Sequence, residues 1–219
     1  MNEKIQSDTA SRIWRIGITG GIGSGKSYVC HCLEKAGHHV FYCDDEAKRI
    51  IRTDSTVRGE LSNLIGPELY TPDGQLVKKV LAAWLCRGKS YAKQVDAIVH
   101  PRVAHAFLKC AQRMATSQAG IVPPLRGTLP RTVSIHQLCE LPVNNTLFME
   151  CALLFESGFD QFVDLSVLVH VSETTQLERL IKRDNISMGK AREWIALQFS
   201  EEERMRRADV VLPNDERLQ

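Results

Sequence analysis

The sequence predicts an α/β fold in three layers, a parallel sheet flanked by helices, with a helical insert and a small lid. An apolar run at residues 13–19 leads into a glycine-rich loop and then into a helical segment. Apolar runs rich in strand-forming residues recur at 146–150 and 165–171, as expected for further strands of one sheet. Before these two runs, a long helical and basic stretch at residues 53–112 interrupts the alternation of strands and helices, which is typical of an insert.

The loop at residues 20–27 has the spacing G-x-x-x-x-G-K-S. Glycines allow its backbone to curl so that successive N–H groups point at phosphate oxygens, and the following helix adds its positive N-terminal end. In this pattern Lys26 reaches the β and γ phosphates, and Ser27 places its hydroxyl on Mg²⁺. The sequence therefore predicts a P-loop NTPase fold with a nucleotide phosphate site. The predicted nucleotide-binding residues are Gly21, Ile22, Gly23, Ser24, Gly25, Lys26, Ser27 and Tyr28.

The bulk composition favours a cytoplasmic protein. The 219 residues carry 28 basic and 26 acidic side chains, a balance that gives no indication of a nucleic-acid partner. Seven scattered cysteines without paired C-x-x-C spacing argue against a disulfide framework or a structural zinc site. The polar start lacks a signal-peptide core, and no apolar run is long enough to cross a membrane.

Two aspartates follow the predicted second strand at residues 38–43. Ligands of a parallel α/β sheet gather beyond the carboxyl ends of its strands, so an aspartate there can face the transferred phosphate. An aspartate is also a good N-cap for the helix that follows at residues 46–52. One aspartate of the pair can be the functional residue and the other the cap.

We predict a single P-loop domain over residues 12–219. The predicted helical insert at residues 53–115 contains His100 followed by Pro101, and this proline either kinks a helix or begins a new one. Residues 116–145, which we call the excursion, have four prolines and no clear hydrophobic period. We therefore expect irregular structure with a short extended piece at 132–135, or disorder. The predicted segments are a disordered tail at 1–11, a nucleotide core at 12–52 and 146–219 with a lid at about 176–190, a helical acceptor-binding insert at 53–115 and the excursion at 116–145.

The predicted strand at residues 146–150 ends in Glu150. An apolar strand followed by an acid holds Mg²⁺, directly or through water, in many P-loop enzymes. Apolar strands that end in an acid are also common where no metal binds. Both interpretations of Glu150 stay open.

The predicted helix at residues 172–183 carries Arg179 and Arg183 on one face, since they are four residues apart. Two guanidinium groups one turn apart can bind a polyphosphate as a lid closes, although ordinary surface charge has the same spacing. A second predicted helix at residues 189–207 places Gln198 in an apolar stripe, where an amide needs a hydrogen-bond partner.

These motifs occur in the order found in the dephospho-coenzyme A kinase family, which the sequence resembles over nearly its whole length. The matching positions are residues 18–27, 43–44, 46–49, 100–101, 153–156 and 209–214, with Gln176, Arg179, Arg183 and Gln198. The resemblance implies that the chain uses ATP and Mg²⁺ to phosphorylate the ribose 3′-hydroxyl of dephospho-coenzyme A, the last step of coenzyme A synthesis.

The resemblance also implies roles for individual residues. Asp44 matches the second acid of the family's D-x-D motif and acts on the 3′-hydroxyl, while Tyr42 replaces the first acid. Asn214 borders the adenine. The implied catalytic residues are Asp44, Lys26, Arg179 and Arg183. The implied substrate-binding residues are Asp44, His100, Pro101, Leu154 and Glu156, and the implied metal ligands are Ser27 and Glu150.

The chain departs from the family pattern in the longer excursion at 116–145 and in a C-terminal helix that is missing or cut short. The nearest alternative is a P-loop kinase of another small acceptor, such as a nucleoside or nucleotide, which would share the loop. A non-enzymatic nucleotide switch is less favoured, because neither a D-x-x-G after the loop nor an N-K-x-D guanine signature occurs. The sequence leaves the oligomeric state open.

Overall fold

A computed structural model describes residues 13–116 and 127–215 of the chain. The chain divides into two compact units, one made of Met1–Phe41 and Cys110–Gln219 and the other of Tyr42–Lys109. The predicted tail at 1–11 and part of the predicted excursion lie outside the described residues. Within the described ranges, no helix is both long and apolar enough to span a membrane.

A five-stranded sheet has the strand order β2-β3-β1-β4-β5. Its strands are β1 (Trp14–Thr19), β2 (His39–Tyr42), β3 (Thr146–Glu150), β4 (Leu165–His170) and β5 (Val210–Pro213). The pairings of β1 with β3, of β1 with β4 and of β4 with β5 are all parallel. The predicted parallel sheet is therefore confirmed, and the strand that leads into the glycine-rich loop lies at its centre.

The helices surround this sheet or form the second unit. They are α1 (Lys26–Lys35), α2 (Cys43–Thr53), α3 (Ser55–Ile65), α4 (Lys78–Leu85), α5 (Lys89–Thr116), α6 (Ile135–Cys139), α7 (Glu173–Asp184), α8 (Met188–Ile195) and α9 (Glu201–Arg207). Short 3₁₀ turns occur at Pro67–Leu69, Val143–Asn145 and Phe159–Phe162.

The central strands are nearly continuous apolar runs because helices cover both faces of a parallel sheet. Ile16 and Ile18 in β1 are fully buried, as are Phe148 in β3 and Val167 in β4. Burying one such side chain stabilises the fold by roughly 1.5–3 kcal/mol. The core therefore fixes β1 and its carboxyl end, from which the loop starts.

Serine caps decide where the C-terminal helices begin. The side chain of Ser172 accepts a hydrogen bond from the Thr175 N–H at the start of α7, as predicted for this helix. The prediction of one helix over residues 189–207 is wrong, because the chain forms α8 and α9 there. Ser200 separates them, since its side chain accepts from the Glu203 N–H and starts a new helix.

In the unit Tyr42–Lys109, the N-cap of α2 is Tyr42, without a side-chain capping bond. The prediction that an aspartate caps this helix is therefore wrong. Asp44 and Asp45 lie in the first turn of α2, where a negative charge is favourable near the helix N-terminus. Pro101 lies inside α5, so no new helix begins there.

The predicted extended piece at 132–135 is correct at its start. Thr132 forms a parallel bridge with Val211 of β5, and the Val133 N–H donates to the Val211 carbonyl at 3.0 Å. The side chain of Ser134 then caps α6 in a capping box with Gln137, so Ile135 is helical. Part of the excursion is thus ordered by the edge of the sheet.

Candidate active site

The glycine-rich loop turns sharply between the end of β1 and the start of α1. Gly25 is the N-cap of α1 and has a left-handed backbone, with φ 90° and ψ 22°. A Cβ atom at Gly25 would meet the side-chain nitrogen of Asn214, so both the backbone angle and the available space require glycine. The motif glycine thus lets the loop enter the helix with its N–H groups directed along the helix axis.

Two contacts within the loop fix its curl. The Lys26 ammonium donates to the Gly20 carbonyl at 2.8 Å, and the Ser24 N–H donates to the Gly21 carbonyl at 3.0 Å. Lys26 is half-buried at the start of α1, and the side chain of Ser27, the next residue, is exposed. The predicted phosphate-binding cation and metal-binding hydroxyl therefore lie side by side at a helix N-terminus.

The chain beyond β5 supports the loop at Ser24. The Asn214 side-chain amide donates to the Ser24 carbonyl at 2.8 Å, and Arg179 donates to the same carbonyl at 3.3 Å. Arg179 also donates to the Asn214 carbonyl at 2.8 Å. The three residues form one hydrogen-bonded group, which sequence reasoning did not anticipate for Asn214.

Two glutamines hold the loop at Ile22. The Gln176 amide nitrogen donates to the Ile22 carbonyl at 2.5 Å, and the Ile22 N–H donates to the Gln198 amide oxygen at 2.7 Å. The expectation that Gln198 has a partner is confirmed, and that partner is the loop backbone. Neither glutamine was predicted as a site residue, although both match the family pattern and Gln198 was also notable as an amide in an apolar stripe.

A buried arginine packs behind the loop. Arg204 is 2 % exposed and donates to both the Glu201 carboxylate and the Phe199 carbonyl. A Cβ atom at Gly21 would lie 2.8 Å from its guanidinium group. Glu201 also contacts His170 at the end of β4, at 2.5 Å. The sequence gives no sign of the contacts with Gly21 and His170, because these two residues are far from Glu201 and Arg204 in the chain.

A carboxylate and an ammonium both affect the pKa of one thiol near the start of α1. Glu150 is the last residue of β3 and is in register with Ile18 of β1. Burial raises the pKa of the Cys30 thiol to about 12, the Glu150 carboxylate adds to the rise, and the Lys26 ammonium opposes it. Glu150 and Lys26 are therefore both close enough to affect one side chain in α1.

The residues at this end of the sheet fit a magnesium ion. Mg²⁺ in phosphate-transfer sites takes one or two protein oxygens and completes its shell with water and phosphate oxygens. The Ser27 hydroxyl and the Glu150 carboxylate are donors of this kind. Among the described residues, no group of three or more His, Cys, Asp or Glu side chains could hold a metal ion by itself.

The structure gives the two predicted lid arginines different partners. Arg179 contacts the loop and Asn214, whereas Arg183 forms an exposed ion pair with Asp184 at 2.7 Å. The Asp184 carboxylate, as a hydrogen-bond partner, raises the pKa of Arg183. The two guanidinium groups do not form a clamp here, and their binding of ATP stays a prediction.

The residues predicted to bind the acceptor are mostly on helix surfaces. In the unit Tyr42–Lys109, Asp44 is exposed on α2, and His100 on α5 contacts the Asp96 carboxylate one turn earlier, at 3.5 Å. Pro101 follows on the same helix and is exposed.

Two further predicted substrate contacts lie in the unit that contains the sheet. The Glu156 carboxylate accepts from the Phe199 N–H at 2.9 Å. Leu154 is 0 % exposed, and a Cβ atom at Gly17 would lie 2.9 Å from its side chain. The assignment of Leu154 as a substrate contact is therefore corrected, because this side chain fills the core beside β1 and presents no surface to a ligand.

Tyr28 lies one residue beyond the motif on α1. Its side chain is 41 % exposed, and a hydrogen bond with Cys32 raises the pKa of its hydroxyl. Its hydroxyl thus faces the thiol one turn later on α1. Its backbone N–H donates to the Gly25 carbonyl at 3.0 Å, and its nucleotide contact stays a prediction.

Comparison with known proteins identifies the family. The model of a family described as dephospho-CoA kinase matches residues 14–125 and 129–219. The dephospho-CoA kinase of Bacteroides fragilis strain YCH46 is 38 % identical over 201 residues, which cover 92 % of this chain and 84 % of the relative. That of Salinibacter ruber is 34 % identical over 200 residues, covering 91 % and 88 %.

Solved structures show the same fold. The crystal structure of TT1252 from Thermus thermophilus superposes with a TM-score of 0.69 at 27 % identity, covering 94 % of this chain and 91 % of that one. The dephospho-CoA kinase from Campylobacter jejuni has a TM-score of 0.62 at 18 % identity, covering 93 % and 89 %. The predicted three-layer P-loop fold is confirmed. With its glycine-rich loop at the centre of the sheet, the chain belongs to the dephospho-CoA kinase family and is an ATP-dependent kinase of dephospho-coenzyme A.

Proposed function

We propose that the chain transfers the γ-phosphate of ATP to the ribose 3′-hydroxyl of dephospho-coenzyme A and releases ADP. The observation that supports this most directly is the loop between β1 and α1, in which Gly23 and Gly25 have positive φ angles and Lys26 and Ser27 begin the helix, as in a phosphate-binding loop. The family relationship supplies the acceptor.

The donor half of the reaction is mainly electrostatic. Phosphoryl transfer passes through a transition state with negative charge spread over the equatorial oxygens, so positioned positive groups provide most of the acceleration. The loop N–H groups would bind the phosphates, and Lys26 would leave the Gly20 carbonyl to reach the β and γ oxygens. Before ATP binds, that carbonyl would keep the ammonium beside the loop.

Mg²⁺ would be held by Ser27 and Glu150. When bound, the ion neutralises charge on the β and γ phosphates. The half-buried Glu150 would also orient water around it from the end of β3. Within the lid, Arg179 and Arg183 would approach ATP, and Asn214 would remain beneath the loop on the adenine side.

The acceptor half requires little more than alignment. Asp44 would accept a hydrogen bond from the 3′-hydroxyl and take its proton as the new O–P bond forms and the bond from the γ-phosphorus to the leaving oxygen of ADP breaks. Its exposed position in the first turn of α2 leaves the carboxylate open to a substrate. His100 and Pro101, in the helical insert 53–115, would line the acceptor side, and Glu156 would fix the Phe199 segment.

The cysteines are consistent with a cytoplasmic enzyme. All seven are free thiols, and Cys86 is exposed. An exposed free thiol persists in a reducing compartment, which also supplies ATP. We therefore place the reaction in the cytoplasm.

The test is a panel of acceptors incubated with the purified chain, ATP and Mg²⁺, with ADP release and phosphorylated product both measured. We expect turnover with dephospho-coenzyme A, none with its 3′-deoxy analogue, and none when Mg²⁺ is removed by a chelator. Equal turnover with adenosine or AMP would favour a kinase of another small acceptor. ATP hydrolysis without any phosphorylated acceptor would instead support a nucleotide switch.

A further inference from the structure

Ile22 is the point at which the phosphate-binding loop meets helices α7 and α8. Its side chain packs against the cluster of Leu177, Leu180 and Ala191, which joins these two helices. Its carbonyl accepts from Gln176, and its N–H donates to Gln198. One variable position of the motif is therefore held by its side chain and by both neighbouring peptide groups.

We infer that Gln176 and Gln198 are positioning residues that lock the two peptide units beside Ile22, so that α7 and α8 hold the loop in its phosphate-binding shape. This inference rests on the proposed function of the loop as the ATP site. It gives Ile22 the role of an anchor, because its N–H is already used by Gln198. The phosphate must then be bound by the N–H groups later in the loop.

The direction of each hydrogen bond is fixed by chemistry. A backbone N–H can only donate, so the group of Gln198 that faces it is the amide oxygen. A carbonyl can only accept, so the group of Gln176 that faces it is the NH₂. Gln176 is 6 % exposed, and such a buried amide is costly to leave without its partner. Gln198 therefore supports Ile22 as a hydrogen-bond acceptor, and Gln176 supports it as a donor.

The two anchors also lie at the start of the predicted lid at about 176–190 and beyond its end. Gln176 lies in the first half of α7, and Gln198 lies beyond the end of α8, so one loop residue is tied to the first residue of the lid and to the chain that follows it. Binding of the nucleotide phosphates at the loop is then coupled to the position of the lid helices. A change at either glutamine should alter nucleotide binding without touching the acceptor.

The test compares two glutamate substitutions that add the same charge close to the same residue. In Gln198→Glu the carboxylate still accepts from the Ile22 N–H, whereas in Gln176→Glu a carboxylate replaces the donor and opposes the Ile22 carbonyl. Gln198→Leu removes the acceptor without adding charge. Dissociation constants for ATP and ADP are measured by titration calorimetry without an acceptor, well below the Tm of each variant, and KM is measured for both substrates.

We expect Gln176→Glu to weaken ATP binding about tenfold or more relative to Gln198→Glu, because a buried polar group is left unpaired in the first variant alone. Gln198→Leu should also weaken ATP binding, and Gln198→Glu should restore most of it. KM for dephospho-coenzyme A should stay close to the wild-type value. If the two glutamines had only a structural role, the substitutions would lower Tm but would not produce this order of ATP affinities.

Equal ATP affinities of the two glutamate variants, or wild-type affinity of Gln198→Leu, would overturn the inference while the acceptor assay still supports the kinase. The predicted order of affinities in a chain that phosphorylates no dephospho-coenzyme A would support the anchors and refute the proposed reaction. If Gln176→Glu does not fold, the comparison of ATP affinity between Gln198→Leu and Gln198→Glu tests the inference.

Discussion

The phosphate-binding loop and the unit Tyr42–Lys109 hold their polar groups in opposite ways. The loop is supported by side chains from distant parts of the chain, such as Gln176, Gln198 and Asn214, which donate to or accept from its backbone. In Tyr42–Lys109, His100 pairs with Asp96 one helical turn away, and Asp44 lies exposed at a helix start.

This difference separates two kinds of functional residue. The loop is preorganised by buried hydrogen bonds, so changes to its supports should affect nucleotide binding and stability together. The predicted acceptor residues of the unit Tyr42–Lys109 are at least partly exposed on helices and contribute little to folding, so their replacement should affect turnover alone. The following predictions can break or sharpen this comparison.

The largest effect is expected for Lys26→Ala. Removing the ammonium that we propose contacts the transferred phosphate should lower kcat by about a thousandfold. Lys35→Ala is the matched control, because Lys35 lies on the same helix with an exposed side chain. Steady-state kinetics with dephospho-coenzyme A measure both. A comparable loss in the control would show that helix α1, rather than the phosphate contact, had been disturbed.

Asp44→Asn should lower kcat on the order of a hundredfold, because the amide cannot take the proton of the 3′-hydroxyl. The dissociation constant for ATP should not change. Asp45→Asn, in the same exposed first turn of α2, should keep nearly full activity. Near-normal turnover of Asp44→Asn would remove Asp44 from the mechanism.

Asn214→Leu should weaken ATP binding roughly tenfold and lower the free energy of unfolding by about 1–3 kcal/mol, because the Ser24 carbonyl loses its shorter hydrogen bond. Arg179 still donates to that carbonyl at 3.3 Å, which limits the loss. Thermal unfolding and ATP titration measure the two quantities. Asn63→Leu, at an exposed site in the other unit, should change neither. Unchanged ATP affinity in Asn214→Leu would show that the loop does not depend on this support.

The smallest expected response is that of Cys30 to thiol alkylation. Its pKa is raised to about 12 by burial, so it stays protonated at pH 8.5, and reagents also have no access to it. Cys86, exposed after α4, should react readily under the same conditions. Peptide mass mapping after iodoacetamide treatment measures both sites. Rapid labelling of native Cys30 would mean that α1 opens from the sheet.

The local features of the site were predictable because their requirements are local. The motif spacing located the loop and the helix that follows it, although this helix begins at Lys26, two residues before the predicted start at Tyr28. Supports that join residues far apart, such as Arg204 behind Gly21, leave no pattern in the sequence. Leu154 shows the limit of resemblance, which matches positions in a chain but not the direction of a side chain.

Helix boundaries were missed where a cap was hidden in a charged run. The acidic and basic residues around Ser200 suit a helix throughout, so the break between α8 and α9 depends on one hydroxyl. In the excursion, the prolines suggested irregular structure. The pair of Ser134 and Gln137 nevertheless had the spacing of a capping box and marks the start of α6.

The short pairing of residues 131–133 with β5 has a consequence for solubility. β5 is at the edge of the sheet, and an open edge offers unpaired main-chain groups on which another chain can add a strand. The Val211 N–H donates to the Arg131 carbonyl at 2.8 Å, and its carbonyl accepts from the Val133 N–H. Residues 131–133 therefore occupy both main-chain groups of Val211, so a strand of another chain cannot pair with them at this point of the edge.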